Sequence, residues 1–270
     1  MSEIARSLHE LNAMDTLAGK DSPVHRIDPR AKVITFVVFA GCVVSFRKYE
    51  VSALLPYFLF PAVILPLGRI PMGFLARKVL LVLPIAVLIG IFNPIFDRTV
   101  LFSVAGLGVS GGMVSFTSIL LRFVLTVVAA LMLVAVTGFN GICATLERFG
   151  VPRAFSVQLM MLYRYLFVLT AEGVRMSRAR ELRSVGRAGT GLRDFSALIG
   201  HLLLRTWHRA QRIHMAMLSR CFRGEFFLRR PMRLGSADIV FTLAWSSAFI
   251  VMRLVNMPQA VGRFLLEVFP

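Results

Sequence analysis

Acidic residues are scarce in this chain, with 14 Asp and Glu against 31 Lys and Arg in 270 residues, a formal net charge of +17. Cysteine is scarcer still. Cys42, Cys143 and Cys221 stand far apart and none forms a CxxC pair, which excludes a disulfide framework and a cysteine zinc site. The five histidines, His9, His25, His201, His208 and His214, include no i, i+4 pair, and no acid or thiol stands with His201 and His208, so no metal site is expected. A G-x-x-x-x-G-K-[ST] nucleotide loop is also missing: "GLGVSGG" (Gly106 to Gly112) has glycines but no following lysine, and it reads as a turn. No nucleophile, base and orienting acid can be recognised together. The chain is therefore expected to carry no catalytic residues and no cofactor.

What it does carry is apolar length. Hydrophobic residues make up 57% of the sequence, charged ones only 17%, and the mean hydropathy is +0.73, the composition of an integral membrane protein. In such a chain an excess of arginine marks cytoplasmic loops, not nucleic-acid binding. The first thirty or so residues, up to "IDPRAK", are polar and unlike a secretory signal. Five runs then read as spans: Val33 to Phe46, Val51 to Leu67, Val79 to Phe96, Val114 to Thr137 and Ala237 to Val255. The first two are short for a bilayer core that needs about 20 residues, so tilt or ragged ends are implied. Pro56, Pro61, Pro84 and Pro94 within the spans read as kinks.

A sixth run, Ala154 to Val174, holds Arg164 at its centre and Glu172 near its end. Fourteen arginines follow between Arg175 and Arg233, against Glu181, Asp194 and Glu225. A segment this basic belongs in the cytoplasm. With the N-terminus inside and four spans behind it, the chain is already inside at Gly138, and a crossing by Ala154 to Val174 would put the basic segment outside. The run is read as a long helix at the interface; hydropathy alone would accept it as a span. The expectation is five crossings with the C-terminus outside.

The basic segment has its own order. Ile199, Leu202, Leu203, Thr206, Ala210, Ile213 and Met217 recur at three- and four-residue steps, while Arg205, Arg209 and Arg212 gather on another side, which makes an amphipathic helix with a basic stripe. Upstream, "GVRMSRARELRSVG" reads as a second helix. The two end alike, "ELRSVG" and "SRCFRG": an arginine, a small residue, then a glycine nearby. Gly224 is where the second is expected to stop, leaving Arg220 and Arg223 at an exposed end. A pair of basic helices lying on anionic lipid would explain the charge; it would not require matched tips.

These paired arginine endings resemble the T component, the transmembrane coupling subunit of energy-coupling factor transporters, in which Ala-Arg-Gly or a close variant ends each of two cytoplasmic helices. The matching triplets are Leu182-Arg183-Ser184 and Ser219-Arg220-Cys221, both departing from the strict form, although "AMLSRCFRG" otherwise is similar to the family's A-M-x-x-R-G-F-x-G ending. "VPRAFSVQLMMLYRYLFVLTAE" (Val151 to Glu172) is similar to the CbiQ-type branch that serves cobalt or nickel uptake, and "SPVHRIDPRAK" resembles the segment before that family's first span. The resemblance implies an all-α integral membrane protein of about five transmembrane helices plus long amphipathic cytoplasmic coupling helices. Residues 1–137 would hold the N-terminal segment and four spans, 138–236 the coupling helices, and 237–270 the last span.

It further implies a non-enzymatic subunit of the bacterial plasma membrane whose partners are a pair of cytoplasmic ABC ATPases, a membrane substrate-binding subunit of the cobalt or nickel type, and lipid. Arg183, Ser184, Arg220, Cys221 and Arg223 would dock on the ATPases, with Arg205, Arg209 and Arg212 as a supporting stripe. Arginine suits a docking tip, because its planar fork bonds carboxylates in pairs and keeps its charge when buried. The alternative is a membrane scaffold or enzyme whose basic helices bind anionic lipid. A self-contained transporter would need ionisable residues inside the spans, where Arg122 is nearly alone.

Overall fold

The computed structural model describes residues 14–96, 100–104, 107–183, 192–224 and 234–255. They form two compact units, Leu17–Gly138 with Met232–Pro270, and Met1–Thr16 with Phe139–Pro231.

The first unit begins with two proline-led helices. Ser22 caps α1 (Pro23–Arg26), its hydroxyl accepting the His25 N–H at 3.4 Å, and Asp28 caps α2 (Pro29–Val44), accepting the Arg30 N–H at 2.9 Å. Proline at the first helical position is favoured because its missing N–H is one the helix leaves unpaired anyway. The run expected at Val33 to Phe46 is thus α2 started four residues early.

The second expected span is a 3₁₀ helix, Ser52–Phe58, continued by α3 (Leu59–Leu67), with Pro56 inside the first part and Pro66 inside the second. Prolines deprive the ladder of donors, which accounts for the tighter coil. Next come α4 (Met72–Gly90) and α5 (Phe92–Phe96). The break between them falls at the carbonyl of Gly90, four residues before Pro94, where the proline ring meets the preceding turn. At that point Gly90 packs on Phe116, whose ring would lie 2.7 Å from a Cβ.

The link expected as a simple turn is an antiparallel hairpin, β1 (Val100–Val104) and β2 (Leu107–Ser110), with a register irregularity between Val100 and Phe102. Of the glycines of "GLGVSGG", Gly108 lies in the second strand and Gly111 and Gly112 open α6 (Gly111–Thr137), which Ser110 caps by accepting the Met113 N–H at 3.3 Å, while Gly106 lies outside the described residues. The unit closes with α10 (Ser236–Leu254).

The core of this unit is aromatic. Phe39, Tyr57, Phe60, Trp245 and Phe249 pack with ring centroids 5.0 to 6.0 Å apart, and the buried Tyr57 hydroxyl donates to the Phe249 carbonyl at 2.8 Å. A buried phenol finds such a partner because an unpaired hydroxyl there is costly.

Helices α2 and α10 run parallel. At their starts the buried Asp238 carboxylate accepts the Asp28 N–H at 2.9 Å and the Gly235 N–H at 2.7 Å. At their ends Arg253 donates to the Ser45 carbonyl at 3.0 Å and lies over the Phe46 ring, 4.5 Å from its centroid. Helix α6 runs the other way, since Lys32 near the start of α2 donates to the carbonyl of Val136 near the end of α6, at 3.4 Å. The 3₁₀–α3 segment, α4 and α6 come between α2 and α10 in the order of this unit.

The second unit holds α7 (Phe139–Arg148), α8 (Arg153–Arg183) and α9 (Leu192–Ser219). Among the described residues four stretches are long and apolar enough to cross a membrane: Met72–Pro94, Gly111–Thr137, Arg153–Arg183 and Ser236–Leu254. The sixth run therefore lies in a helix that qualifies as a span by length and composition, as hydropathy alone accepts.

Candidate functional site

The candidate site is the α8–α9 pair. Within the Tyr163-Arg164-Tyr165 block, neighbouring side chains are put to different uses. Tyr163 stacks on Phe139 of α7 with centroids 4.4 Å apart, Tyr165 lines the groove toward α9, and Arg164 is exposed.

Three sets of contacts give the sense of the pair. Glu172 of α8 accepts from Arg205 of α9 at 2.8 Å. Gly173 lies beside Leu202, 3.9 Å from where a Cβ would sit. Toward the start of α8, Val157, Gln158 and Met161 share a groove with Ile213, His214 and Met217. Rising numbers on α8 meet falling numbers on α9, so the helices are antiparallel and their C-terminal arginine ends point in opposite directions. Arg183 lies eleven residues beyond Glu172, about 16 Å at 1.5 Å per residue. Ser219 lies fourteen beyond Arg205 on the other side, about 21 Å.

Helix α9 has three faces. Leu202, Thr206, Ile213 and Met217 are half-buried toward α8, as the apolar periodicity predicts. Arg205, Arg209 and Arg212 meet on a second face and with His208, Leu169 and Glu172 line a polar cleft, so the stripe does come together. A third face exposes Leu203, Leu204, Trp207, Met215 and Leu218. That ridge is missed in the sequence reading, which puts Leu203 on the packed face; Ile199 and Ala210 of the same apolar set are exposed as well.

The second tip closes differently from expectation. Helix α9 ends at Ser219, the Phe222 N–H donates to the Met217 carbonyl at 3.0 Å, and the Cys221 N–H donates to Leu218 at 2.9 Å. This double closure needs a left-handed residue at its centre. Cys221 supplies it at φ 55°. The stop therefore falls three residues before Gly224, which has its own φ of 79°. The same closure ends α7, with Gly150 at φ 99° in the central place, so Cys221 stands where that helix uses glycine. The effect is to leave Arg220, Cys221 and Arg223 exposed around the turn. At the other tip Arg183 is the exposed last residue of α8, and Ser184 lies outside the described residues.

In the sequence Glu172 stands out only as an acid near the end of the sixth apolar run. Its two oxygens each hold one arginine, Arg175 at 2.7 Å and Arg205 at 2.8 Å. An acid 33 positions from its α9 partner leaves no sequence signal beyond being rare in a basic segment. Among the described residues no three or more His, Cys, Asp or Glu side chains gather as a metal cluster.

The chain matches the cobalt transport protein family CbiQ over residues 20–231. It is 24% identical to an energy-coupling factor transporter transmembrane protein, EcfT, of Thermosediminibacter oceani, over 91% of this chain and 95% of that one. It is 28% identical to the cobalt transport protein CbiQ of Salmonella typhimurium over 59% of this chain and 70% of that one. A putative fused cobalt transport protein, CbiMQ, of Methanocorpusculum labreanum is 34% identical over 33% of this chain, a match that spans 15% of the fused protein's length. With a family match over most of its length and four apolar helices long enough to cross a bilayer, the chain belongs to the CbiQ/EcfT family, a family of transporter membrane components and not of enzymes, and is a multi-pass membrane component of energy-coupling factor transporters.

Proposed function

We propose that the chain is the coupling subunit of an energy-coupling factor importer, transmitting the ATP-driven motion of two cytoplasmic ATPases to a membrane substrate-binding subunit that takes up cobalt, with nickel as the near alternative. The observation that carries this reading is the antiparallel α8–α9 pair, whose two C-terminal ends present exposed arginines at opposite extremes. Two tips facing apart suit two separate grooves, one on each ATPase. Closure of the ATPases on ATP would draw the tips together, and helices of 31 and 28 residues are stiff enough to carry that motion as a tilt. Hydrolysis belongs to the partners, because this sequence has no phosphate-binding loop. The residues proposed to dock are Arg183 with Ser184 at one tip, and Arg220 with Cys221 and Arg223 at the other.

The test is co-purification of the tagged chain from cells expressing the whole transporter, combined with metal uptake. Leaving a partner charge unpaired at a buried interface costs about 2 to 5 kcal/mol. Arg220→Glu should therefore abolish uptake, and the joint change of Arg183 and Arg220 to Glu should release the ATPases while the chain stays in the membrane. Arg209→Glu, on the stripe, should keep the ATPases bound. Equal and mild losses for all three, with the ATPases retained, would remove the docking role and favour a basic helix on anionic lipid.

A further inference from the structure

We propose that Glu172 is the positioning residue that sets the crossing of the two coupling helices, holding α8 to α9 through its bridge between Arg175 and Arg205; this rests on the coupling reading of the pair. Three observations meet at this one turn. The Glu172 side chain is 17% exposed, while the two arginines it holds are 67% and 64% exposed, so the acid is the sheltered member at the centre of the bridge. Its neighbour Gly173 faces Leu202, whose Cδ2 would lie 3.9 Å from a Cβ, an ordinary packing distance, so α8 and α9 are in apolar contact one residue from the bridge. The cleft around it gathers Arg205, His208, Arg209 and Arg212, and Glu172 is the one acid among the described residues that line it.

An exposed ion pair adds little to stability, because water screens it and two long side chains must be held still. Its geometric effect is larger than its energy. A carboxylate that gives one oxygen to each helix fixes their register, and a charge-assisted bond is directional. Without it, α8 and α9 remain packed through Leu202, Thr206, Ile213 and Met217, a set of apolar contacts that tolerates sliding and rotation. The tips would then move independently, and closure of the ATPases would be absorbed at the crossing instead of reaching the membrane. The role is one of transmission: Glu172 touches neither an ATPase nor a substrate.

The test uses the complete transporter with both ATPases and the substrate-binding subunit in membranes. Glu172→Gln removes the charge and keeps the shape. Retention of the ATPases and ATP hydrolysis should stay within about twofold of the unaltered complex, while uptake of radioactive cobalt or nickel falls about tenfold, the scale expected for one charge-assisted contact. The reversed pair, Glu172→Arg with Arg205→Glu, again places one acid between two arginines and should bring uptake back to within about threefold of the original. A readout independent of the cargo is the distance distribution between spin labels at Leu182→Cys and Ser219→Cys: it should broaden in Glu172→Gln and narrow again in the reversed pair. Normal uptake and an unchanged distribution in Glu172→Gln would overturn the proposal, as would a reversed pair that restores neither. The docking reading fails separately, by retention of the ATPases when Arg183 and Arg220 are both changed to Glu.

Discussion

The Asp238 carboxylate accepts the backbone N–H of Asp28 at 2.9 Å, which fixes the start of α10 beside the start of α2 although the two residues lie 210 positions apart. With Arg253 bonded to Ser45 at the far ends, the helices run in the same direction. The five-span reading then expects the segments before α2 and after α10 on opposite sides of the membrane. A cysteine at Val255 should label from outside in sealed cells, and one at Leu182 only after the membrane is opened to the reagent. Labelling of Leu182→Cys from outside would mean that α8 crosses and that the basic unit is external. Asp238→Ala removes two backbone donors' partner at a buried place and should cost about 2 kcal/mol or more, read as a lower unfolding temperature in detergent.

Cys221 occupies a left-handed position for which its side chain is poorly suited. An L-residue with a Cβ pays roughly 1 kcal/mol or more there relative to glycine. Cys221→Gly should therefore slow hydrogen exchange at Cys221 and Phe222, the two amides that close the helix, with little change elsewhere. Cys221→Val, with branching at Cβ, should accelerate it. Exchange indifferent to both changes would mean that the turn is set by something other than this residue's backbone.

The apolar runs and the stripe were legible because burial in lipid and amphipathic packing impose hydrophobicity and period directly on the sequence. The tip at Cys221 was legible as a helix end and misplaced by three residues, since the usual signal is glycine and the nearest glycine is Gly224. The hairpin was hidden in "GLGVSGG", where glycine signals a turn as readily as a strand. The opposite sense of the tips was not legible at all. Arg183 and Arg220 end their helices in the same way, and only contacts such as Glu172 with Arg205 reveal that the ends face apart.

His25 gives the first unit a pH dependence. Its ring sits between the Ser22 hydroxyl at 2.7 Å and the Leu17 carbonyl at 3.0 Å, and its pKa is pushed below the ordinary histidine value, first by burial and then by the nearby Lys32 ammonium. The unfolded chain, with a histidine pKa of about 6.5, then binds a proton more readily than the folded one. The stability contributed by neutral His25 is complete above about pH 6.5 and is lost as the pH falls below it. Between pH 7.5 and pH 5.5 the unfolding temperature should drop, and His25→Gln should drop less over the same interval. An equal drop in both would assign the pH dependence to other groups.

The last prediction follows from the antiparallel helices. Measured outward from the Glu172–Arg205 contact, the ends of α8 and α9 lie about 16 and 21 Å away in opposite directions. The separation between the tips is then on the order of 30 to 40 Å, allowing for a crossing angle that shortens the sum. Leu182, with 75% of its surface exposed, and Ser219, also exposed, accept spin labels without touching either tip arginine. Cys42 and Cys143 are changed to Ala so that only the introduced thiols react, and Cys221 to Gly, which the helix closure favours. In the chain without ATPases the labels should give a distance in the range above. Addition of the ATPases with a non-hydrolysable nucleotide should shorten it, because docking tips must follow the grooves that hold them. A distance under about 20 Å in the free chain would contradict the antiparallel arrangement. A distance that ignores nucleotide while the ATPases remain bound would leave the helices docked and yet deny them the transmitting role.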